Sequence, residues 1–528
     1  MPENARSSPE WIRSFGLISV TLPEPPLVQK YLGGQPIDTD EEYEHALSDA
    51  TLDSLVRAGV TLVRVRLFSG FGLEFEKNEM ERVRDFISRA HARSLKVAAI
   101  VQAGSVIPET LQIEENECQN WLQVNPQGHH PALRSSFEVE GVRPCYNSES
   151  YQRYMERACG TAVDFGADLV FLNGLGYNPE PDTCRCPICV AAFRDFLRAQ
   201  YGAQEDRTRH AGKERFGHSN FTHVRPPVFP SAAASAHPID SPHVQEWVRF
   251  KVKTLTAFLS RLSRAITKRN PECAVGTDLF RNFGSNSEVL AGISFSEQLP
   301  QLDLVSFGSE PFSGSESEGF SIAALRAARA AGIAFEPILG DGELDAYLAL
   351  NFTFNDRGLG NFGSALSDWF SPGWESEVDQ DGELAQLRAY INFYNEHKAD
   401  FVASTSLTAV GIFLDTPSEI FGTESRLARS VLQEQLAEAG IAWEPLHTGQ
   451  SGALARYRCI VLPASECLSD DLARAFEQYV TSGGSLLVMG SAGWRDPWRR
   501  VRAASSLQSL IGEAPVDGER RESGAGCC

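Results

Sequence analysis

No uninterrupted apolar run in this 528-residue sequence approaches the roughly 20 residues that a membrane-spanning helix requires. The opening MPENARSSPEWIRS lacks the basic flank and apolar core of a secretory signal, which predicts a cytoplasmic protein. Basic residues are scarce: 48 Lys and Arg stand against 69 Asp and Glu, a formal charge of −21. That balance argues against a nucleic-acid partner, whose phosphates call for clustered Lys and Arg, and against an anionic membrane surface. Eleven cysteines are too few for a disulfide scaffold in a chain of this length. The first strand candidate runs on into TLPEPPL, not into a glycine-rich phosphate turn, so a dinucleotide fingerprint is lacking and no organic cofactor is implied.

What the sequence does have is alternation. Short β-branched runs at Phe15–Leu22, Thr61–Phe68, Lys96–Val101, Asp168–Leu172, Ala274–Phe280, Leu302–Phe307 and Ile333–Leu339 read as strands, with a weaker eighth near Gly363–Trp369. Helical stripes lie between them, such as Met80, Val83, Phe86, Ile87 and Ala90, or Leu255, Phe258, Leu259, Leu262 and Ile266, each repeating at the helical period. Eight strand–helix units over nearly 400 residues predict an α/β fold of the (β/α)8 TIM-barrel type. Residues 1–14 read as an extension, 15–403 as the barrel, 404–515 as a smaller flavodoxin-like α/β domain, and the polar 516–528 as a frayed tail. In the smaller domain Leu427, Val431 and Ala439 are expected in one helix ended by Gly440, and the domain is suited to holding copies of the chain together as a homo-oligomer. The histidine-bearing stretch from about Glu205 to His243 is expected to be a solvated or substrate-covering loop, because no His pair has tight metal-site spacing.

Cys184, Cys186 and Cys189 form a C-x-C-x-x-C group just before a helix. Three thiols so close can converge on one tetrahedral Zn²⁺, a structural site, with Cys145 or Cys118 as the fourth ligand. A redox C-x-x-C is the rival reading, and the third cysteine speaks against it. Carboxylates at the C-terminal ends of barrel strands are the candidates for catalysis: Asp278 in GTDLFRN, Glu310 in SFGSEPF, Glu336 in AFEPIL with Asp341 after it, and Glu180 with Asp182 in the loop after strand four. Glu336 has a structural alternative, an ion pair with Arg64 or Arg66, and Glu180 reads most simply as a solvated loop residue. Asn173, Arg66, Tyr177, Arg281, Asn282 and Trp369, with Phe280, Phe312 and Trp374 beside them, supply the aromatic faces, amides and guanidinium groups that bind sugar hydroxyls.

The run CRCPICVAAFRDFLRAQYG resembles family 42 of the glycoside hydrolases, the microbial β-galactosidases. RPCYNSESYQRY resembles the segment that supplies that family's fourth zinc ligand, which selects Cys145 over Cys118. VLPASECLSDDLARAFEQYVTSGGSLLVMG is similar to the family's glutamine-amidotransferase-like trimerisation domain. LEFEKNEMERVRDFISRAHARSLKVAAIVQAG also resembles uncharacterised hypothetical glycosyl hydrolases. The resemblance implies carboxylate acid/base hydrolysis of a carbohydrate substrate. It also exposes a departure: the family's strand-four Asn-Glu pair is Asn173-Gly174 here, and the general acid/base has no counterpart. The rivals to a hydrolase are therefore an inactive carbohydrate-binding barrel and, beyond it, a barrel lyase or isomerase.

Overall fold

The computed structural model describes residues 8–14, 17–32, 39–134, 140–202, 206–229, 237–278, 286–308, 326, 328–329, 331–338, 358–361, 383–403, 407–512, 522–523 and 526–527. Eight parallel strands close into a barrel: β1 (Leu17–Thr21), β2 (Leu62–Phe68), β3 (Lys96–Gln102), β4 (Leu169–Asn173), β5 (Ala274–Thr277), β6 (Leu304–Gly308), β7 (Ala334–Ile338) and β8 (Gly358–Asn361), with β1 pairing both β2 and β8. The first seven match the expected runs, three of them (β3, β4 and β6) extending one residue past the expected end. The eighth lies ahead of Gly363–Trp369, in a GLGN segment with no branched residue to mark it.

Alternation along each strand sends one set of side chains outward, under the helices, and the other set into the barrel. Leu17, Leu62, Leu169, Ala274, Leu304 and Ala334 fill the lowest interior level together with Ile12. Ile12 belongs to α1 (Glu10–Ser14), whose Trp11 indole N–H donates to the Glu272 carbonyl at 2.9 Å. The expected N-terminal extension thus includes a plug for the barrel floor. One level up, Arg64 and Glu336 form a fully buried ion pair, with Ser19 and Ser306 donating to the carboxylate. The Arg64 guanidinium also lies over the Phe171 ring, 4.1 Å from its centroid. The next inward positions, Arg66, Gln102, Asn173 and Asp278, form the floor of the mouth.

Outside the barrel, α2 (Lys77–His91) and α3 (Glu149–Asp164) pack on the early strands, α4 (Pro187–Tyr201) follows the cysteine group, and α5 (Pro242–Arg269) buries the expected stripe. The histidine-bearing stretch is no bare loop. Its backbone forms a helix over Asp206–Phe216, and Phe221, Phe229 and Ile239 are buried against α4 and α5.

A second sheet is built on β9 (Val410–Leu414), β10 (Trp443–His447), β11 (Cys459–Pro463) and β12 (Ser485–Met489), in the order β10-β9-β11-β12 and all parallel. Two short strands of the tail, β13 (Glu522–Ser523) and β14 (Gly526–Cys527), extend it at the β12 edge, where fraying was expected. The expected helix, α6 (Glu424–Glu438), turns Leu432 inward and leaves Leu427 and Val431 exposed.

Candidate active site

The top interior level is polar. Asp278, one residue past β5 and 2% exposed, accepts from the Asn173 side-chain amide at 2.6 Å and from the Gly174 backbone N–H at 3.0 Å. Arg66 reaches the same mouth from β2. It pairs through two nitrogens with Glu24, three residues past β1, and donates to the Gln102 side-chain amide oxygen Oε1 at 3.4 Å. Burial disfavours its charge, but Glu24, and beyond it Asp278 and Glu76, raise its pKa above the ordinary arginine value. Glu24, 36% exposed at its side chain, is the most open of these acids. Sequence reasoning passed over it, and the available signal was an acid directly after the first strand, where barrel chemistry gathers. Glu76, in the loop after β2, is pushed up to about 7 by burial although the Ser69 and Phe71 N–H groups donate to it.

Gly174 closes the position that the family template fills with glutamate. Its φ is +74°, and a Cβ there would lie 2.8 Å from the Gln102 amide nitrogen. The facing Gly104 is equally constrained, since a Cβ on it would fall 1.6 Å from the Gly174 carbonyl oxygen. At Gly104 the facing backbone leaves no room for a side chain, and at Gly174 the positive φ disfavours one.

Three expected site residues sit elsewhere. Glu336 is 0% exposed, one level beneath the mouth and neutralised by Arg64, so it cannot meet a substrate. Glu180 is a buried anion and not a solvated one: Arg185 donates to it at 3.0 Å, Lys251 at 2.9 Å and the Trp247 indole at 2.9 Å. Burial raises this carboxyl, but the Lys251 and Arg185 cations outweigh burial and hold it below the usual carboxylate range. Burial meanwhile brings Lys251 down to about 8. Tyr177 is 1% exposed and packs edge-on against Tyr146, which makes it core and not a sugar platform. Asp182 is tied to the Asn125 side chain at 3.0 Å. Glu310, Arg281, Asn282, Trp369, Asp341, Phe280, Phe312 and Trp374 lie outside the described residues.

The cysteines come together as one group. Cys145, Cys184, Cys186 and Cys189 are all buried, with sulfurs within 4.8 Å of one another. Cys145 Sγ lies 3.4 Å from Cys189 Sγ and 3.6 Å from Cys186 Sγ. A tetrahedron of ~2.3 Å metal–sulfur bonds needs sulfurs ~3.8 Å apart, so the set fits a soft or borderline divalent cation. Cys118 stands apart, its thiol directed at the Pro108 carbonyl. Hydrogen bonds from Cys145, Cys184 and Cys189 hold the Cys186 thiol far below its usual range, while the bond to Cys184 raises Cys145. The Cys189 N–H donates to Cys186 Sγ at 3.4 Å and the Asn147 amide to Cys189 Sγ at 3.3 Å, as outer-shell donors do around thiolate sites. Among the described residues this is the one cluster of metal-ligating side chains found, and no helix is long and apolar enough to cross a membrane.

A family model described as beta-galactosidase, of glycoside hydrolase family 42, matches residues 40–326, more than half of the chain. Beta-galactosidase Pbg of Clostridium perfringens is 26% identical over 132 residues, which are 24% of this chain and 18% of that protein. The matched stretch is thus under a fifth of that curated relative's length. Among solved structures, the beta-galactosidase of Bacillus circulans sp. alkalophilus aligns over 91% of this chain and 75% of its own, at 13% identity and a TM-score of 0.69. That of the haloarchaeon Halorubrum lacusprofundi aligns over 94% and 76%, at 18% identity and a TM-score of 0.67. At such identities the likeness is one of fold.

Proposed function

The chain belongs to family 42 of the glycoside hydrolases, and from that membership we propose that it hydrolyses a glycosidic bond, on a β-galactoside-like substrate, at the mouth formed by Arg66, Gln102, Asn173 and Asp278. The observation that supports this most is Asp278. It is a carboxylate at the C-terminal end of a barrel strand, where such chemistry gathers, gripped by the very asparagine that accompanies the family's lost glutamate.

Both Asp278 oxygens accept from N–H donors, which suits a group that attacks or stabilises an oxocarbenium-like carbon better than one that gives up a proton. Proton donation to the leaving oxygen is assigned to Glu310, two residues past β6 on the neighbouring strand. Arg66 and Asn173 would hydrogen-bond sugar hydroxyls, and Arg281, Asn282 and Trp369 complete the sugar contacts. The four-cysteine group would hold a structural Zn²⁺. With all four positions taken by thiolates, that ion has no open site for a substrate. A cytoplasmic location and assembly of copies through the smaller domain remain part of this reading.

Release of nitrophenol from a panel of nitrophenyl glycosides tests it. Turnover on a galactoside is expected, with Glu310→Gln depressing the rate far more for sugars with poor leaving groups than for nitrophenyl ones. A second reading, a carbohydrate-binding barrel without catalysis, is favoured by the closed backbone at Gly174. Sugar-dependent rises in melting temperature with no product on any glycoside would establish it instead.

A further inference from the structure

The thiol cluster and the barrel mouth are joined by a short arm of chain. Arg143 and Tyr146 flank Cys145. The Arg143 Nη1 donates to the Gly174 carbonyl at 2.7 Å and to the Gly176 carbonyl at 3.0 Å. The Tyr146 hydroxyl accepts from the Gly176 N–H and donates to the Gly176 carbonyl, both at 2.9 Å. One turn of backbone, 174–176, is therefore held from both ends by residues one and two positions from a cluster cysteine. The inner end of that turn is the Gly174 N–H that donates to Asp278 Oδ1.

We propose that Arg143 and Tyr146 are positioning residues: they clamp the Gly174–Gly176 turn to the cysteine segment and, through the Gly174 N–H, fix the carboxylate of Asp278. Gly174 and Gly176 both have positive φ, +74° and +135°; with Leu175 alone packing into the core between them, the two permissive glycines are held in one conformation with the help of outside donors. Tyr146 is 0% exposed and wedged between Tyr177 and Phe258, so its hydroxyl is set by packing and cannot swing away. Arg143 is fixed by its carbonyl partners. Cys145, between them, ties the arm to Cys184, Cys186 and Cys189 across about 40 residues of sequence. Order at the thiols is thereby carried to the mouth, although no thiol lies in it.

The kinetic part rests on the reading of Asp278 as the reacting carboxylate; the conformational part does not. The test uses full-length protein with its metal as purified. Amide hydrogen exchange is followed in the peptide spanning residues 172–177, together with metal content, melting temperature and steady-state kinetics on a nitrophenyl glycoside. Tyr146→Phe, which keeps the ring, and Arg143→Met are expected to speed exchange at Gly174 and Gly176 about tenfold, the loss of one hydrogen bond's worth of protection. Metal content should stay unchanged, and kcat should fall about tenfold while KM moves less than about twofold, as expected when positioning and not binding is lost. Arg143→Lys, retaining one donor, should recover part of both effects. Exchange at 172–177 equal to wild type in Tyr146→Phe and Arg143→Met would overturn the proposal, whatever the kinetics. If Arg143→Met fails to fold, Tyr146→Phe decides alone. A protein that turns over no glycoside leaves the exchange result standing and counts against the hydrolase reading only.

Discussion

Gly174 has φ +74°, which disfavours any side chain, and a Cβ there would also displace the Gln102 amide 2.8 Å away, so a carboxylate at this strand-four position would strain the turn. Gly174→Glu should therefore cost about 1–3 kcal/mol in thermal unfolding and leave turnover no higher than wild type; a stable variant with raised activity would refute this. Deeper in the barrel, removing one partner of the Arg64–Glu336 pair strands the other charge where no water reaches. Glu336→Leu is expected to lose about 3–5 kcal/mol in denaturant unfolding, and a second change, Arg64→Met, to return most of it. In the smaller domain, burial pushes Asp415 up to about 6 from 3.8. The folded carboxyl keeps its proton better than the unfolded one, so its contribution is full below about pH 3.8 and is lost as pH climbs to about 6. Asp415→Asn keeps the acceptor for the Ser418 N–H and removes that loss. Its stability relative to wild type should rise by about 2 kcal/mol between pH 4 and pH 7; a flat difference across that range would contradict the assignment.

Among elements, seven barrel strands were legible because each carries a run of branched or aromatic residues with turn signals at its ends. The eighth, GLGN, has neither, and the stronger apolar signal at 363–369 drew the expectation past it. In helix α6, Leu427 and Val431 share one helical face while Leu432 and Leu436 face the sheet, and period alone does not say which of two apolar stripes is the covered one. Polar residues at strand ends, Arg66, Asn173 and Asp278, could be picked out from position alone. The role of Glu180 could not, since its partners Trp247 and Lys251 lie 67 and 71 residues away. The cysteine segment was legible from spacing, and its fourth member came from the family resemblance. At this scale the metal proposed for the four cysteines can be tested as a unit. Cys186→Ser, or a strong chelator, should lower metal content from about one per chain and reduce the melting temperature by several degrees. Purified protein with no metal, and unaffected by the substitution, would defeat the tetrahedral site.

Across the whole molecule, the smaller domain is fastened to the stretch between α4 and α5. The Arg499 guanidinium donates to Asp240 at 2.9 Å and to Glu466 at 2.8 Å, Arg500 pairs with Glu214 at 2.7 Å, and the Ile239 N–H donates to the Phe421 carbonyl at 2.8 Å. Arg499, Glu466 and the turn at Ala464 (φ +46°) lie past the C-terminal ends of β9 and β11, where the strand order reverses and such sheets ordinarily receive ligands. Here the chain's own ion pairs occupy that crevice, and the turn carries a methyl group instead of a nucleophile. These contacts fit a supporting role for the smaller domain, in keeping with the chemistry proposed at the barrel mouth.

Within the barrel the proposed chemistry rests on one carboxylate. Turnover of the best nitrophenyl glycoside by wild type and by Asp278→Asn, with melting temperatures matched, measures its role directly. A reacting Asp278 predicts a kcat lower by on the order of a thousandfold, whereas equal rates for the two proteins would contradict that role.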